Sequence, residues 1–159
     1  MTGPLTLDAV AAAFSTLGPA DQANKNRIRV KVPATKIRDA VKTVLGSLGC
    51  DRLITISSAD TGEHIDLVYH FTGLHGPVIG VAVELPREKP EIASVADLLP
   101  PAGLYERQIH DLLGVVFAGH PCLDRLILNE DWPEGEHPMR KDWRPDPAKF
   151  YGGIRKEEV

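Results

Sequence analysis

The stretch Arg27–Val32 alternates strictly, with Ile28, Val30 and Val32 on one side and Arg27, Arg29 and Lys31 on the other. This is the pattern of a half-buried strand. Directly after it the period changes: Ile37, Val41, Val44, Leu45 and Leu48 recur at helical spacing and Gly49 closes the run. Strand-like runs then return at Leu53–Ser57, Ile65–Phe71 and Val78–Leu85. A chain that moves from period two to period 3.6 and back must lay helix against sheet. The turn-forming stretches Asp60–Gly62 and Gly73–Pro77 suit an antiparallel meander, and the strand–helix–strand order over 27–57 fits a right-handed crossover with some parallel pairing. A first helix carries Leu7, Val10, Ala11, Phe14 and Leu17, with Thr6 as N-cap, Asp8 in the first turn and Gly18–Pro19 as the stop. The expected fold is α/β (α+β): a four-stranded mixed or mostly antiparallel sheet with two helices on one face. A signature helix and an extended C-terminal tail follow.

The texture changes after Leu85. Pro86 and Pro90 break the pattern, and a short helical stretch from about Val95 runs into Pro100–Pro101. A second helix reads from about Leu104 to Leu113, and beyond Gly114 the periodicity is lost. Seven of the 13 prolines fall in Pro100–Pro147, so this part has little core of its own and must lie on the domain or on a partner. The division is an α/β domain at 1–86, a helix and partner-binding segment at 87–143, and a tail at 144–159.

Composition narrows the functional classes. With 18 Lys+Arg against 22 Asp+Glu, the net charge of −4 lacks the basic field of a nucleic-acid binder. The longest apolar runs, Ala9–Phe14 and Val78–Val83, are far short of the roughly 18–20 residues that span a bilayer. Met1–Pro4 lacks the blocks of a secretory signal, so a cytoplasmic protein is expected. Cys50 and Cys122 alone exclude a disulfide scaffold and a four-thiolate cluster built from this chain. His64, His70 and His75 lie on or beside strands without HExxH or CxxC spacing, and His120 and Cys122 flank Pro121 without a second pair of ligands. No metal is expected. No GxSxG, GxGxxG or GxxxxGK[ST] motif occurs, and Ser57–Ser58 has no evident acid–base partner. The row Arg27, Arg29, Lys31 reads as a solvated strand face, with an acidic partner as the alternative.

Chemistry-bearing residues concentrate instead in Tyr105–Trp143. Glu106 and His110, like Arg107 and Asp111, are four apart on one helix, beside an apolar side of Leu104, Ile109, Leu112, Leu113 and Val116. Exposed pairs of this type contribute only about 0.2–0.5 kcal/mol, so helix stability is a poor reason for them. Gly119–His120–Pro121 makes a constrained turn. Arg125 and Arg140–Lys141–Asp142 then stand among Leu126, Ile127, Leu128, Trp132, Met139 and Trp143. Aromatic and Arg anchors set among prolines suit an interface, because a stiff chain loses less entropy on docking.

This region resembles the 30-kDa subunit family of respiratory complex I, also called the C-type subunits of NADH-quinone oxidoreductase. The family pattern is a helix E-R-E-x-x-D followed by two hydrophobic residues and Gly, then an H-P turn, an R-hydrophobic-L segment and a closing P-L-R-K-D-aromatic. It stands here as Glu106–Arg107–Gln108, Asp111–Leu112–Leu113–Gly114, Gly119–His120–Pro121, Leu123, Arg125–Leu126–Ile127–Leu128, Asp131–Trp132 and Pro138–Met139–Arg140–Lys141–Asp142–Trp143. Gln108 replaces the usual Glu, and His110 replaces an aromatic that is commonly Tyr, which marks a divergent branch. The ordered match covers about 40 residues; the α/β part is compatible in layout but carries no motif.

The resemblance implies a subunit that binds no flavin, iron–sulfur cluster or metal. It would sit in the peripheral arm on the cytoplasmic side of the membrane, reach the membrane only through the complex, and pack on the large 49-kDa-type subunit. Glu106, Arg107, Asp111, His120, Arg125, Trp132, Arg140, Lys141, Asp142 and Trp143 are then the expected partner-binding residues. Two alternatives stay open. One is the equivalent subunit of a membrane-bound nickel–iron hydrogenase, formate hydrogenlyase or F420-linked dehydrogenase. The other is a small independent enzyme using His120, Cys122 and Asp111.

Overall fold

The computed structural model describes residues 5–73, 76–149 and 151; Met1–Pro4 and His75 lie outside them. Helix α1 (Leu7–Ala13) begins where Thr6 Oγ1 accepts the Ala9 amide at 3.3 Å. The chain then forms strands β1 (Ala20–Asn24) and β2 (Arg27–Lys31), a single 3-10 turn, helix α2 (Ile37–Gly46) and strands β3 (Arg52–Asp60), β4 (His64–Thr72) and β5 (Val78–Pro86). Their order in the sheet is β1-β2-β5-β4-β3. β3, β4 and β5 are the expected antiparallel meander, and β2 pairs with β5 in parallel. The crossover through α2 therefore carries the chain over two strand positions to the far edge, and the parallel pairing forms with β5 rather than β3.

A fifth strand joins the expected four. β1 is an edge strand whose residues are almost all exposed, so it carries no alternation to read. Gly18 lies just before it, where a Cβ would fall 1.9 Å from the Lys31 carbonyl oxygen; only glycine allows the chain to pass so close to β2.

One face of the sheet is apolar. Ile28 and Val30 of β2, Ile79, Val81, Val83 and Leu85 of β5, and Ile65, Leu67, Tyr69 and Phe71 of β4 are all buried on it. Val10 and Phe14 of α1 and Ile37, Ala40, Val41 and Val44 of α2 join the same cluster. So do Ile92, Val95, Leu99, Ala102, Ile109, Leu113 and Phe117 from the following segment. That segment holds β6 (Glu91–Ala93), α3 (Ala102–Leu113) and β7 (Val116–Ala118), with β6 and β7 paired in parallel around α3. Val95–Leu99, expected to be helical, makes only a turn in which the Leu98 and Leu99 amides both donate to the Val95 carbonyl. Pro100–Pro101 prevents its continuation. Beyond β7 no helix or strand forms among the described residues. No described helix is long and apolar enough to cross a membrane.

Candidate partner-docking site

Helix α3 turns two carboxylates inward. Glu106 is fully buried; its oxygens accept the Ser94 hydroxyl at 2.5 Å and the Val95 amide at 2.9 Å, which fastens α3 to the exit of β6. The nearest cationic candidate is His120, 3.9 Å away. Its Nδ1 accepts the Cys122 amide at 3.0 Å, so the proton sits on Nε2, which faces the Gly103 carbonyl at 3.1 Å. Both of its ring nitrogens are thus taken up by backbone groups. Arg38, which also feels the Glu106 charge, is committed to Asp97 through two bonds of 2.6 and 2.7 Å and to the Ser94 carbonyl at 2.6 Å. Burial accordingly pushes the Glu106 carboxyl above its ordinary pKa, against the opposing pull of Ser94 and Val95.

Asp111, one turn on, does something different. Its Oδ2 accepts the amides of Leu126, Ile127 and Leu128 at 2.8, 2.8 and 3.2 Å. Burial works to raise its pKa, but the three donors prevail and hold it below the ordinary value. The loop after β7 is thus wrapped round an anion supplied by α3.

Arginines satisfy the opposite half of the irregular backbone. Arg107 donates to the Asp124 and Arg125 carbonyls at 2.9 and 2.8 Å. Arg125 serves the Asn129 and Trp132 carbonyls at 2.9 and 2.6 Å, and Arg140 serves those of Leu113 and Arg87 at 2.8 and 2.9 Å. Segments without a ladder must place their carbonyls somewhere, and here guanidiniums take them. Gly114 admits the return of the chain: it is left-handed at φ 73°, and a Cβ there would stand 2.5 Å from the His137 ring. His137 Nδ1 in turn donates to the Asp111 carbonyl at 2.8 Å.

The far end of the tail is clamped at the sheet by two residues that sequence reasoning missed. The Asp60 carboxylate, fully buried, accepts Arg87 Nε and Nη2 at 2.9 Å each, the Gly62 amide at 2.9 Å and the Lys141 amide at 2.9 Å. Arg87 Nη2 also reaches Asp142 at 2.6 Å, and Lys141 Nζ reaches the Thr61 carbonyl at 2.8 Å. Arg87 foremost holds the Asp60 carboxyl well below the carboxylate range. Asp60 carries only a turn signal in the sequence, and nothing near Arg87 marks its role.

Trp132, Trp143 and Tyr151 close the tail. The two indoles stack at 5.9 Å, and Tyr151 meets them edge-on at 4.9 and 5.6 Å. Glu136 sits among them, accepting Trp143 Nε1 at 3.0 Å, Tyr151 Oη at 2.8 Å and Lys149 Nζ at 2.5 Å, and Lys149 foremost lowers its pKa to about 2.

All ten expected partner-binding residues therefore lie in or under this tail, and each makes an internal bond. Glu106 and Asp111 are buried, whereas Lys141 and Asp142 remain exposed. Large apolar side chains also face outward: Leu104, Leu126, Ile127 and Met139 are 60%, 40%, 53% and 55% exposed, among exposed charges that include Asp124, Glu130, Asp131 and Glu134. Glu136, His137, Arg140, Asp142 and Trp143 line a recess of about 380 Å³.

The residues of the independent-enzyme alternative do not come together as a reacting group. Both nitrogens of His120 and Oδ2 of Asp111 are engaged by backbone, and exposed Cys122 contacts Asp124 at 2.8 Å. Elsewhere, His64, Asp66 and Glu84 bring ligand-type atoms within 4.8 Å of one another across β4 and β5, but Lys31 Nζ holds Glu84 at 2.5 Å.

Known proteins share this architecture. A chain of the archaeal membrane-bound sulfane sulfur reductase, a respiratory membrane complex, superposes with a TM-score of 0.75 at 29% identity over 86% of this chain and 84% of that one. The C-type subunit of the F(420)H(2) dehydrogenase of Methanosarcina mazei is 36% identical over 77% of this chain and 79% of its own length. The joined C/D protein of the NADH-quinone oxidoreductase of Phocaeicola vulgatus is 33% identical over 72% of this chain, which spans 22% of that protein. The family described as respiratory-chain NADH dehydrogenase, 30 Kd subunit, matches residues 30–149. Since that match runs from β2 through the sheet and α3 to the end of the clamped tail, the chain belongs to this 30-kDa subunit family.

Proposed function

We propose that the protein is a cofactor-free accessory subunit of the peripheral arm of a complex I-like oxidoreductase, on the cytoplasmic side of the membrane, and that it docks on a 49-kDa-type neighbour through residues 87–143. The observation that carries the reading is the inversion of the tail. Glu106, Asp111, Arg107, Arg125 and Arg140 commit their polar atoms to internal staples, while Leu104 of α3 and Leu126, Ile127 and Met139 of the tail face out. A tail that served only its own domain would bury Leu126, Ile127 and Met139. An apolar face rimmed by polar groups is what a partner covers. The Phocaeicola relative supports the choice of partner, since its name joins a C-type part to D in one polypeptide. Electrons would pass through the neighbour, and this subunit would hold it in place.

The test is assembly in the native host. Ile127→Asp and Met139→Asp change exposed side chains, so the isolated chain should keep its melting temperature while the assembled complex is depleted. Arg140→Ala and Asp142→Ala should deplete it too, through loss of the tail's conformation. Normal abundance of complex in all four variants overturns the docking assignment.

A second reading has its own support. This chain's Methanosarcina relative, 36% identical over 77% of this chain, is named for F(420)H(2) and not for NADH. The host complex would then take electrons from a deazaflavin or hydrogenase-type module rather than from NADH. The subunits that co-purify decide between the two.

A further inference from the structure

The helices cover one face of the sheet, and the other face carries an unused arrangement of charge. Cross-strand register sets Arg29 of β2 beside Gly80 of β5, Gly80 beside His70 of β4, and His70 beside Thr55 of β3. Gly80 leaves a notch in the middle of this row. Its φ is not positive, so no backbone conformation requires glycine. A Cβ there would meet Val68 Cγ1 at 3.3 Å, a contact relieved by a shift of a few tenths of an ångström. Glycine inside a strand sacrifices stability and marks places where another group comes close to the backbone.

Gly80 is itself buried, and the notch is walled by the Val68 methyl on one side and the His70 ring on the other, with the basic row of β2 alongside. His70 Nε2 is bonded to Ser57 Oγ at 2.8 Å, and Nδ1 lies 4.0 Å from where the missing Cβ would stand. Among the described residues Nδ1 has no partner. Arg27 and Arg29 project from β2 on the same face, both exposed. Lys31, the third of the row, is paired with Glu84, but among the described residues neither arginine has a carboxylate in ion-pair contact. Two exposed guanidiniums two residues apart, about 6.7 Å along a strand, face a single carboxylate on that edge, Asp21, the cross-strand neighbour of Arg29, on a chain whose net charge is −4.

We propose that Arg27, Arg29 and the notch over Gly80 receive carboxylate side chains from an acidic segment of a second neighbouring subunit. Guanidinium forks match carboxylates two bonds at a time, and the missing side chain at Gly80 lets an acidic residue reach His70 Nδ1. A membrane surface fits less well, because lipid-binding clusters carry about 4–8 basic residues. A phosphate fits less well too, because the amides in this row belong to the sheet ladder and form no nest. The notch lies toward the opposite end of the strands from Asp60 and Arg87. Gly80 and Pro86 are separated by about 20 Å along β5, so a partner here need not compete with one on the tail. The proposal rests on the reading of this chain as a subunit of a larger complex, but not on which subunit the tail binds.

The test uses the intact complex carrying a photo-crosslinking residue at position 29, together with the full chain in solution. Crosslinks should fall on an Asp/Glu-rich segment of a subunit other than the one bound by the tail. Arg27→Glu/Arg29→Glu should release that subunit and leave the tail's partner bound, the reverse of Met139→Asp. In solution, an oligoglutamate peptide should shift the Gly80 and His70 amide resonances. Each lost guanidinium should weaken that binding about tenfold, and Gly80→Leu, which keeps both charges, should weaken it as well. Absence of crosslinks, crosslinks only to segments without carboxylates, or an unchanged set of bound subunits in the double variant overturns the proposal. So does preferential binding of inorganic phosphate or phosphatidylglycerol vesicles over the peptide.

Discussion

Replacing Asp60 by alanine tests whether the tail is held at the sheet by one buried carboxylate. The side chain is inaccessible to solvent and holds Arg87, the Gly62 amide and the Lys141 amide together. Removing it leaves Arg87, 18% exposed, with Asp142 as its remaining acidic partner. Breaking a buried pair costs about 3–5 kcal/mol. Arg87 keeps some solvent and one partner, so we expect the lower end, about 3 kcal/mol in a urea titration. At this chain length that is a fall of roughly 6–12 °C in Tm. Hydrogen exchange should localise the damage, with protection lost first at the Lys141 amide and at the Met139 amide, which donates to the Leu112 carbonyl. The pH dependence has a definite sign. The folded pKa of Asp60 lies below its unfolded value of about 3.9, so its contribution is present above that value and is lost as pH falls toward the folded pKa. The gap between wild type and Asp60→Ala should therefore narrow in acid. Equal urea midpoints at neutral pH, with unchanged exchange at Lys141 and Met139, would refute the reasoning.

Gly114→Ala combines a left-handed φ with a Cβ driven into the His137 ring, and should cost about 2–3 kcal/mol in the same titration. A loss under about 0.5 kcal/mol would mean that the return of the chain past Gly114 is not held as described. Glu106→Gln should show the opposite pH sign from Asp60. Burial raises the folded pKa of Glu106, so its contribution is complete below the unfolded value, about 4.3, and fades as pH rises through the folded one. The variant, which has no proton to lose, should gain on wild type toward alkaline pH; parallel stability profiles would exclude the assignment.

What the sequence reveals and conceals follows from where the information lies. The paired alternations of β2 and β4 and the helical spacing of α2 are readable because each element faces the core on one side and water on the other. β1 faces neither way strongly, and its Ala-Asp-Gln-Ala-Asn sequence is indistinguishable from a loop. The three-residue strands β6 and β7 are too short to show a period. At the site, the clustering of Glu106, Arg107, Asp111, Arg125, Arg140 and Asp142 is visible in the chain, but their targets are not. Arginines bonded to carbonyls and a carboxylate bonded to amides have partners that every residue possesses, so no pattern of residue types announces them. Asp60 and Lys141 are 81 positions apart and meet only in the fold.

That choice of partners also shows how the stretch after β7, which has little core of its own, could serve as the proposed docking element. Each staple contributes modestly, since a hydrogen bond nets about 0.5–1.5 kcal/mol, or about 1.5–3 when one partner is charged. Together they do what packing does elsewhere, which is to fix backbone direction. Because the staples act on the backbone, they leave the side chains of Leu126, Ile127 and Met139 free to face outward, which a tail held by its own apolar groups would not. A loop frozen before contact gives up less conformational entropy on binding, so more of the apolar gain appears as affinity. Loosening the staples should then weaken docking without removing any contact with the partner. On this argument Asp60, on the sheet and outside the proposed docking segment, would belong to the docking machinery as fully as Met139, which would face the partner.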